Sequence, residues 1–483
     1  MRYLASARDS LTTFSTRYYK DIRFWLIVLS IIRLYGITQP PLEFQHPWRQ
    51  ADGLMIARNF YENGPKILYP MVDTAGEKSG ITGSEFPLLN YLMYLVSLVF
   101  GYQHWYGRLI VLIVSGFGSL YFYKSVRKFF DEPVAFNATI ILTASYWFSY
   151  SRKTFPDCFS ASLCLIALYF ILEYLQTGKL PHLLLYLLSA CLGCLSKISS
   201  TLILSVLILP VFSAAYPMQR KIWMLACSAI VLGCIGGWYF VWVPYLNETF
   251  GYGDHFTGGC PLLSMGWEEI RTNFPAILRR LFIIPTKYLG CLLFIASFIY
   301  VLYKKKWIVF LIFLIPYLCF LLIILKTGKS ILMDQYYVLC SIPAFAFISG
   351  YTLSQIANKK VMWFILLAIA GESIGRQMND HRPHKINTAF ANLETIVDSV
   401  SNRTDLFVIN SGPHCPTVMY FAHRKGWTVF PVKLQDRAYL DEVKAKGCKF
   451  VLISKRMYGD NYDIQLDLPQ LFESDDFRIY SLK

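Results

Sequence analysis

The sequence predicts a polytopic α-helical membrane protein of about eleven transmembrane helices, followed by a small α/β domain. Three observations lead to this prediction. Apolar residues make up 55% of the 483 residues and charged residues only 16%, against roughly 25% charged residues in soluble domains. The apolar residues occur in runs of about 17–25, which is long enough to cross a hydrocarbon core. Lysines and arginines, which give a net charge of +15, cluster in short loops beside these runs.

The positive charge does not indicate a nucleic-acid-binding protein. Nucleic-acid-binding domains carry their cations on one soluble face or along one helix. Here the cations flank apolar runs, where they orient helices because basic loops stay on the cytoplasmic side. We therefore predict membrane lipid as a partner and no nucleic acid.

The order of the apolar runs predicts the topology. The predicted spans are residues 22–39, 106–124, 133–150, 158–175, 181–197, 198–216, 221–245, 286–303, 306–325, 331–351 and 360–376. The stretch 86–101 is shorter, at about 16 residues, and has Pro87 near its start. If it lies along the membrane surface, the basic loops of the chain fall on the cytoplasmic side. The sequence thus predicts an integral plasma (inner) membrane protein with a cytoplasmic N-terminus and an extracytoplasmic first loop at 40–105.

After residue 384 the pattern changes from long apolar runs to short alternating segments. Strand-like runs at 405–410, 427–431 and 448–454 alternate with helical segments at 415–424 and 436–446. Such alternation is typical of an α/β domain with a parallel sheet. We predict a transmembrane domain at 1–384 and a small extracytoplasmic domain at 385–483.

Charged residues crowd the predicted first loop. They are Glu43, His46, Arg49, Asp52, Arg58 and Glu85. Apolar residues recur with helical spacing from Asp52 to Tyr61, which predicts an amphipathic surface helix with Asp52 at its start. A carboxylate at this position could be a base or simply the N-cap of the helix.

A second group of charges follows on the same predicted side of the membrane. It comprises Arg152, Asp157, Lys197, Lys326 and Lys329. Arg152 could anchor at lipid headgroups, Asp157 could cap a helix, and the lysines could extend to the interface. Together with the charged residues of the first loop, however, this group has the chemistry to bind a polyprenyl-phosphate sugar. The cations would bind the phosphate and a carboxylate would deprotonate the acceptor hydroxyl. This chemistry requires no cofactor, and it is compatible with a divalent cation.

At these residues the sequence resembles the GT-C superfamily of membrane glycosyltransferases, near its protein-mannosyltransferase and aminoarabinose-transferase branch (family 39-like). The resemblance covers roughly residues 20–380. It rests on Asp52 with Ala57-Arg58, Glu85-Phe86-Pro87 leading to Phe100-Gly101, Arg108-Leu109, Ser151-Arg152 with Asp157, Leu195-Ser196-Lys197, and Asp334-Gln335-Tyr336-Tyr337.

The resemblance implies a GT-C-like fold and an inverting transfer from a lipid-phosphate sugar on the outer side of the membrane. It implies an acidic base in the first loop, a second acidic position at Asp157, and Lys197 and Arg58 near the donor phosphate. The family usually has Asp-Glu where this chain has His46-Pro47. The candidates for the base are therefore Asp52, then His46, then Glu85.

The predicted function is an inverting glycosyltransferase that moves a hexosyl or pentosyl group from a polyprenyl-phosphate donor to an extracytoplasmic glycan, lipid or protein of the cell envelope. The predicted catalytic residues are Asp52, Asp157, His46 and Glu85. The predicted substrate-binding residues are Arg49, Arg58, Arg152, Lys197, Lys326, Lys329 and Tyr336. One alternative is a transporter or flippase of a lipid-linked sugar, which would place ionisable groups near the bilayer midplane. A scaffold whose C-terminal domain binds a partner is another. The predicted spans are nearly uncharged apart from Arg33, which favours the enzyme.

Overall fold

The structure is a computed structural model that describes residues 20–252, 267–328, 330–413, 415–457 and 460–482. Its first 13 main helices form one bundle with the first loop. They are α1 Ile22–Leu34, α2 Pro47–Asn63, α3 Leu88–Phe100, α4 Tyr106–Arg127, α5 Glu132–Ala144, α6 Pro156–Thr177, α7 Leu180–Ser196, α8 Ile198–Phe212, α9 Met218–Phe250, α10 Trp267–Tyr303, α11 Trp307–Thr327, α12 Gln335–Ser354 and α13 Lys359–Gly375.

The helical membrane class is confirmed. Helices lie at all eleven predicted spans, and within the described ranges six of them are long and apolar enough to cross a membrane. These six are α4, α6, α9, α10, α11 and α12. The others are shorter, so the number of crossings stays a prediction.

Helix α3 has the features of a helix that lies in the membrane surface. Its 13 residues span only about 20 Å, whereas a hydrocarbon core is about 30 Å thick. Leu89 and Met93 face the protein interior, while Leu98 and Val99 are exposed. Asn90 Nδ2 donates a hydrogen bond of 2.5 Å to the carbonyl oxygen of Gly53, which ties α3 to α2.

Helix α2 differs from the predicted amphipathic surface helix in two respects. It begins at Pro47 instead of Asp52, because proline at the first helical position is already preorganised for a helix. His46 precedes it in a left-handed conformation, with φ of 55°. Asp52 therefore lies in the second turn and is not an N-cap. The helix is also mostly buried, including Gln50, Asp52 and Leu54.

Close packing around α6 holds the bundle together. Gly118 of α4 lies against Ser162 of α6, and a Cβ atom at Gly118 would be 2.5 Å from the Ser162 Cβ. Gly193 of α7 approaches Cys164 of α6 in the same way. Small residues let helix backbones approach closely, which is how helices associate in a membrane. Asp157 and Lys197, at the ends of α6 and α7, are thereby brought to one end of the bundle.

The C-terminal residues form the predicted α/β fold with a mixed sheet. Its elements are α14 Leu393–Asp398, β1 Leu406–Ile409, α15 Thr417–Ala422, β2 Lys425–Thr428, α16 Arg437–Ala445, β3 Cys448–Ser454, β4 Arg456–Met457, β5 Asp460–Asn461, β6 Gln470–Glu473 and β7 Phe477–Ser481. The main sheet has the order β2-β1-β3-β7-β6, and β1 is parallel to both β2 and β3. The three strands predicted from the sequence are thus parallel, while β7, which was not predicted, is antiparallel to β3 and β6. The connection from β6 to β7 is too short for a parallel crossover.

The C-terminal sheet shares its hydrophobic core with the first loop. Leu54 and Phe60 of α2 belong to the same buried cluster as Phe407 of β1 and Val418 of α15. Backbone hydrogen bonds also join the first loop to the edge strand β2. Gly76 N donates to Gly426 O at 2.7 Å, and Gly426 N donates to Asp73 O at 2.9 Å. The first loop thus covers a sheet edge that would otherwise be open to pairing.

An ion cluster links the end of α2 to the C-terminal domain. His423 Nε2 lies 2.9 Å from Glu62 Oε1, and His423 Nδ1 lies 3.0 Å from Glu394 Oε1. Arg403 also pairs with Glu394. Burial lowers the pKa of His423, but the hydrogen bonds from Glu394 and Glu62 outweigh burial and the opposing charge of Arg58, so this pKa is raised. Both ring nitrogens face carboxylates, which favours the imidazolium.

The docking of the C-terminal domain is therefore expected to weaken as pH rises. Because the pKa of His423 is higher in the docked state, protonated His423 stabilises the docked state fully below about pH 6.5, the pKa of a free histidine. This stabilisation is lost as pH rises through the raised pKa of His423. Limited proteolysis of the C-terminal domain across this pH range should show increasing cleavage for the wild type and no such trend for His423→Gln. His182→Gln, a change at a half-buried histidine that bonds Thr177, is the control. Wild-type cleavage that does not change with pH would contradict this assignment.

Candidate functional site

Five charged side chains from different elements form a continuous chain at one end of the bundle. Arg49 and Asp52 lie on α2, and Glu85 precedes α3. Asp157 lies in the first turn of α6, and Lys197 follows the last residue of α7. A carboxylate at a helix start and a cation at a helix end both interact favourably with the helix dipole. The fold thus assembles residues that are up to about 150 positions apart in the sequence.

The ion pairs alternate in sign along this chain. Arg49 Nη1 lies 2.7 Å from Asp52 Oδ2, and Arg49 Nη2 pairs with Glu85 Oε1. The same Glu85 oxygen accepts a hydrogen bond of 2.7 Å from Lys197 Nζ. Lys197 Nζ then lies 3.8 Å from Asp157 Oδ1. Glu85 is thus an anion held between two cations, with a further carboxylate on each side. We call these five residues the central cluster.

The electrostatics of the central cluster keep Glu85 and Lys197 charged. Burial would raise the pKa of Glu85, but Arg49 and Lys197 outweigh burial and hold it well below its usual range. Burial would lower the pKa of Lys197, but Asp157 and Glu85 outweigh it and raise this pKa above the usual range. A carboxylate of such low basicity is a weak proton acceptor. Glu85 is therefore better suited to hold the cations than to act as a base.

A small cavity lies beside the central cluster. This cavity of about 30 Å³ is lined by Arg49, Asp52 and Glu85, which is room for about two water molecules. Asp157 Oδ2 is buried and has no hydrogen-bond partner among the residues that the structure describes. This oxygen can accept a hydrogen bond without displacing another donor.

His46 lies beside the cluster in an aromatic setting. Its Nδ1 is 3.7 Å from Asp334 Oδ1, and its ring meets the Tyr336 ring edge-on with centroids 5.2 Å apart. Burial, together with the charges of Lys153 and Arg280, lowers the pKa of His46 to about 3. The imidazole is therefore neutral at physiological pH. Burial also raises the pKa of Asp334.

Tyr336 connects the His46 side to the central cluster. Lys197 Nζ lies 5.5 Å from the ring centroid of Tyr336 and 5.7 Å from that of Tyr337. Both tyrosines lie in the first turn of α12, which begins at Gln335, directly after Asp334. A cation over an aromatic face is attracted by the ring quadrupole. The structure thus brings Tyr336 to the predicted site.

Two other predicted substrate-binding residues, Arg58 and Arg152, bond to groups outside the central cluster. Arg58 donates to the carbonyl oxygen of Tyr420 and faces the C-terminal domain. Arg152 donates to the carbonyl oxygens of Arg33 and Tyr35, at the end of α1. Lys326 is exposed at the end of α11. Lys329 lies outside the described residues, so its prediction has no counterpart in the structure.

Two buried ion pairs next to the site were not predicted from the sequence. Arg108 pairs with Glu43, whose other oxygen accepts from Gln50 at 2.7 Å. Lys153 Nζ lies 2.7 Å from Asp380 Oδ2. In both pairs the two residues are far apart in the sequence, so their spacing did not indicate that they pair. A charge that is fully buried without a partner is very costly, and the presence of Arg108 and Lys153 at helix ends was the only indication that partners exist.

Removing Arg108 is expected to destabilise the fold. Arg108→Gln would leave Glu43 buried without its main counter-charge, which costs about 3–5 kcal/mol. Arg127→Gln is a matched control on the same helix, because Arg127 and its partner Glu132 are more than half exposed and such pairs contribute about 0–1 kcal/mol. Thermal unfolding of the detergent-purified variants measures both effects. Equal decreases in unfolding temperature for the two variants would show that the buried ion pair stabilises the fold no more than the exposed one.

The described residues contain no group of three or more histidine, cysteine, aspartate or glutamate side chains placed to hold a metal ion. Arg49 and Lys197 supply the positive charge at the cluster. The expectation that no cofactor is required stays a prediction.

An apolar cavity lies within the bundle. Its volume is about 430 Å³, and it is lined by residues of α4, α6, α8, α11 and α12. Cys340 lines it at one end, and Cys340 Sγ lies 3.4 Å from the carbonyl oxygen of Tyr337. Phe129 and Tyr216 line it as well, at the ends of other helices. The cavity has room for part of an apolar chain.

Comparisons with known proteins agree with this architecture. The sequence profile of the family described as dolichyl-phosphate-mannose-protein mannosyltransferase matches residues 84–240. A crystal structure of ArnT from Cupriavidus metallidurans bound to undecaprenyl phosphate superposes with a TM-score of 0.62 at 11% identity, covering 95% of this chain and 98% of ArnT. The chain has the GT-C fold. The resemblance predicted from the sequence is confirmed, and Glu85, Asp157 and Lys197 fall within the matched range.

Further GT-C structures are similar over most of the chain. The apo state of the same ArnT gives a TM-score of 0.62 at 10% identity, with 95% and 98% of the two chains covered. The Archaeoglobus fulgidus oligosaccharyltransferase, in complex with Zn and sulfate, gives 0.56 at 14% identity, with 89% of this chain and 67% of that chain covered. No curated protein sequence matches the chain. At these identities the GT-C fold is shared, while substrates are a separate question.

Proposed function

We propose that this GT-C protein is an inverting glycosyltransferase that moves a sugar from a polyprenyl-phosphate donor to an acceptor outside the cytoplasm. The observation that carries the proposal is the central cluster, in which two buried cations hold an anion between two further carboxylates. Such a site can bind a phosphate and deprotonate a hydroxyl within one small volume.

Arg49 and Lys197 are the proposed ligands of the donor phosphate. They now share one oxygen of Glu85, so an anion already fits between them. A phosphate has more acceptor oxygens than a carboxylate and can bond to an arginine in bidentate fashion. When the glycosidic bond breaks, the electron pair stays on the phosphate oxygen. Cations fixed beside that oxygen stabilise the charge as it develops.

Asp52 is the proposed base. It would accept the proton of the acceptor hydroxyl while the hydroxyl oxygen bonds to the anomeric carbon and the phosphate leaves from the opposite face. This single displacement inverts the anomeric configuration. Glu85 is engaged with two cations, and His46 has a pKa of about 3, so both are weaker proton acceptors near neutral pH. Asp157, with a free oxygen, would orient the acceptor hydroxyl or the sugar.

The apolar cavity is the proposed place for the first part of the polyprenyl tail. Burial of apolar surface contributes about 25 cal/mol per Å², so a tail held there would add much of the donor affinity. ArnT, which shares the fold, was crystallised bound to undecaprenyl phosphate. The proposed orientation, with the central cluster and the C-terminal domain outside the cytoplasm, follows from the basic loops on the other side.

The proposal is tested with purified protein and a panel of labelled polyprenyl-phosphate sugars. The expected result is release of the lipid phosphate and a product of opposite anomeric configuration, seen by NMR. A flippase would instead move the labelled lipid between leaflets of a liposome without breaking the glycosidic bond. Lipid translocation without release of lipid phosphate from any donor would overturn the proposal.

A further inference from the structure

Helix α2 carries the site at one end and the C-terminal domain at the other. Arg49 and Asp52 lie in its first two turns, where they join the central cluster. Arg58 and Glu62 lie near its end. Asp52 and Arg58 are six residues apart, which places them about 9 Å apart along the axis and about 120° apart around it. One face of α2 thus meets the substrate site while another meets the C-terminal domain.

Arg58 is the point at which three parts of the chain meet. Its Nη1 donates to the Tyr420 carbonyl oxygen at 2.8 Å, and its Nη2 donates to Asp73 Oδ2 at 3.0 Å. The guanidinium carbon lies 4.6 Å from the centroid of the Tyr420 ring. Arg58 is only 5% exposed. Asp73 also accepts from Asn59 at 2.9 Å, and its carbonyl oxygen accepts from Gly426 N.

The central cluster has little tolerance for movement of α2. The space beside Asp52 is only about 30 Å³, and Arg49 divides its two donor groups between Asp52 and Glu85. A displacement of reacting groups by about 1 Å can lower a rate about 100-fold. Contacts that fix the C-terminal end of α2 therefore help to keep Arg49 and Asp52, near its N-terminal end, in position.

We infer that Arg58 is a positioning residue that couples the C-terminal domain to the active site through α2. The inference rests on the proposed function for its kinetic consequences. Arg58 contacts neither donor nor acceptor. It holds α2 against Tyr420 and Asp73 so that Asp52 and Arg49 keep their positions in the central cluster. The C-terminal domain is then part of the catalytic unit and not only an accessory to it.

The test uses the full chain and compares Arg58→Gln with Lys425→Gln. Lys425 is in the same interface, but its Nζ bonds to the Lys78 carbonyl oxygen in the first loop and not to α2. Arg58→Gln is expected to lower kcat roughly 10- to 100-fold and to speed hydrogen exchange of amides 50–56. Lys425→Gln is expected to leave both near the wild-type values. Tyr420→Phe keeps the ring and the carbonyl group and should stay much closer to wild type than Tyr420→Leu.

A double variant separates coupling from general destabilisation. Arg58→Gln combined with Tyr420→Leu should be hardly slower than Arg58→Gln alone, because the two residues act through one contact. Additive losses, or exchange at 50–56 that does not change in Arg58→Gln, would overturn the inference. The exchange measurement does not depend on sugar transfer. Absence of transfer in the wild type would therefore count against the proposed function, while the exchange result would still decide the coupling.

Discussion

Asp52→Asn is expected to lower kcat for sugar transfer about 100-fold or more, because it removes the proposed base. Asparagine has nearly the same size and can still accept from Arg49, so the fold and membrane insertion should persist. Affinity for undecaprenyl phosphate, measured as Kd by calorimetry, should change little, since Asp52 does not contact the phosphate in the proposed arrangement. The residual rate should lose the acidic limb of its pH profile.

Asp157→Asn is expected to lower transfer strongly as well, because it replaces the Asp157 Oδ2 proposed to orient the acceptor hydroxyl or the sugar. Its residual rate should keep the acidic limb of the pH profile, which distinguishes a carboxylate that orients substrate from one that takes the proton. Asp436→Asn is the control: Asp436 caps α16 in the C-terminal domain, and asparagine caps as well as aspartate. Full activity in both cluster variants would remove these carboxylates from the mechanism.

Lys197→Met is also expected to have a large effect, on both donor affinity and rate. Methionine keeps much of the apolar stem but loses the ammonium group that bonds to Glu85 and approaches Asp157. A charge-assisted hydrogen bond contributes about 1.5–3 kcal/mol, so Kd for undecaprenyl phosphate should rise roughly 10- to 100-fold. The loss of kcat should be larger still, about 100- to 1,000-fold, since the charge on the leaving phosphate develops in the transition state.

Lys179→Met tests whether the effect belongs to the site. Lys179 precedes α7, whereas Lys197 follows it, so the two positions lie at opposite ends of one helix. The control should keep wild-type affinity and rate. If Lys197→Met bound undecaprenyl phosphate as tightly as the wild type, Lys197 would have no place in the donor site. The cations of the cluster would then serve only to neutralise Glu85 and Asp157.

The pattern of apolar runs was sufficient to predict the helical bundle. Lipid offers no hydrogen-bond partners to the backbone, so the N–H and C=O groups of an apolar run of this length must bond to one another. An α-helix achieves this within a single run. The sequence also singled out Asp52, Glu85, Asp157 and Lys197, since charged residues beside apolar runs are costly unless they are paired or functional. The structure brings these four together with Arg49.

The sequence did not indicate the contacts of residues whose partners lie far along the chain. Arg58 follows Asp52 on one helix, and the family resemblance implied a place for Arg58 near the donor phosphate. The two side chains point in different directions from α2. Asp52 lies in the central cluster, whereas Arg58 contacts Tyr420 of the C-terminal domain. Likewise, Arg152 was predicted to bind substrate, and in the structure its guanidinium donates hydrogen bonds to the carbonyl oxygens of Arg33 and Tyr35 at the end of α1.

By itself the sequence determined the membrane class, the helical and α/β segments and the set of charged residues from which a site can be built. Periodicity and transfer free energy are local properties, so they can be evaluated along the chain. Only the tertiary structure decided which charges face one another, that Glu85 lies between Arg49 and Lys197, and that the C-terminal domain holds α2. Ion pairing depends on distances of a few ångströms between distant residues, and packing alone sets those distances.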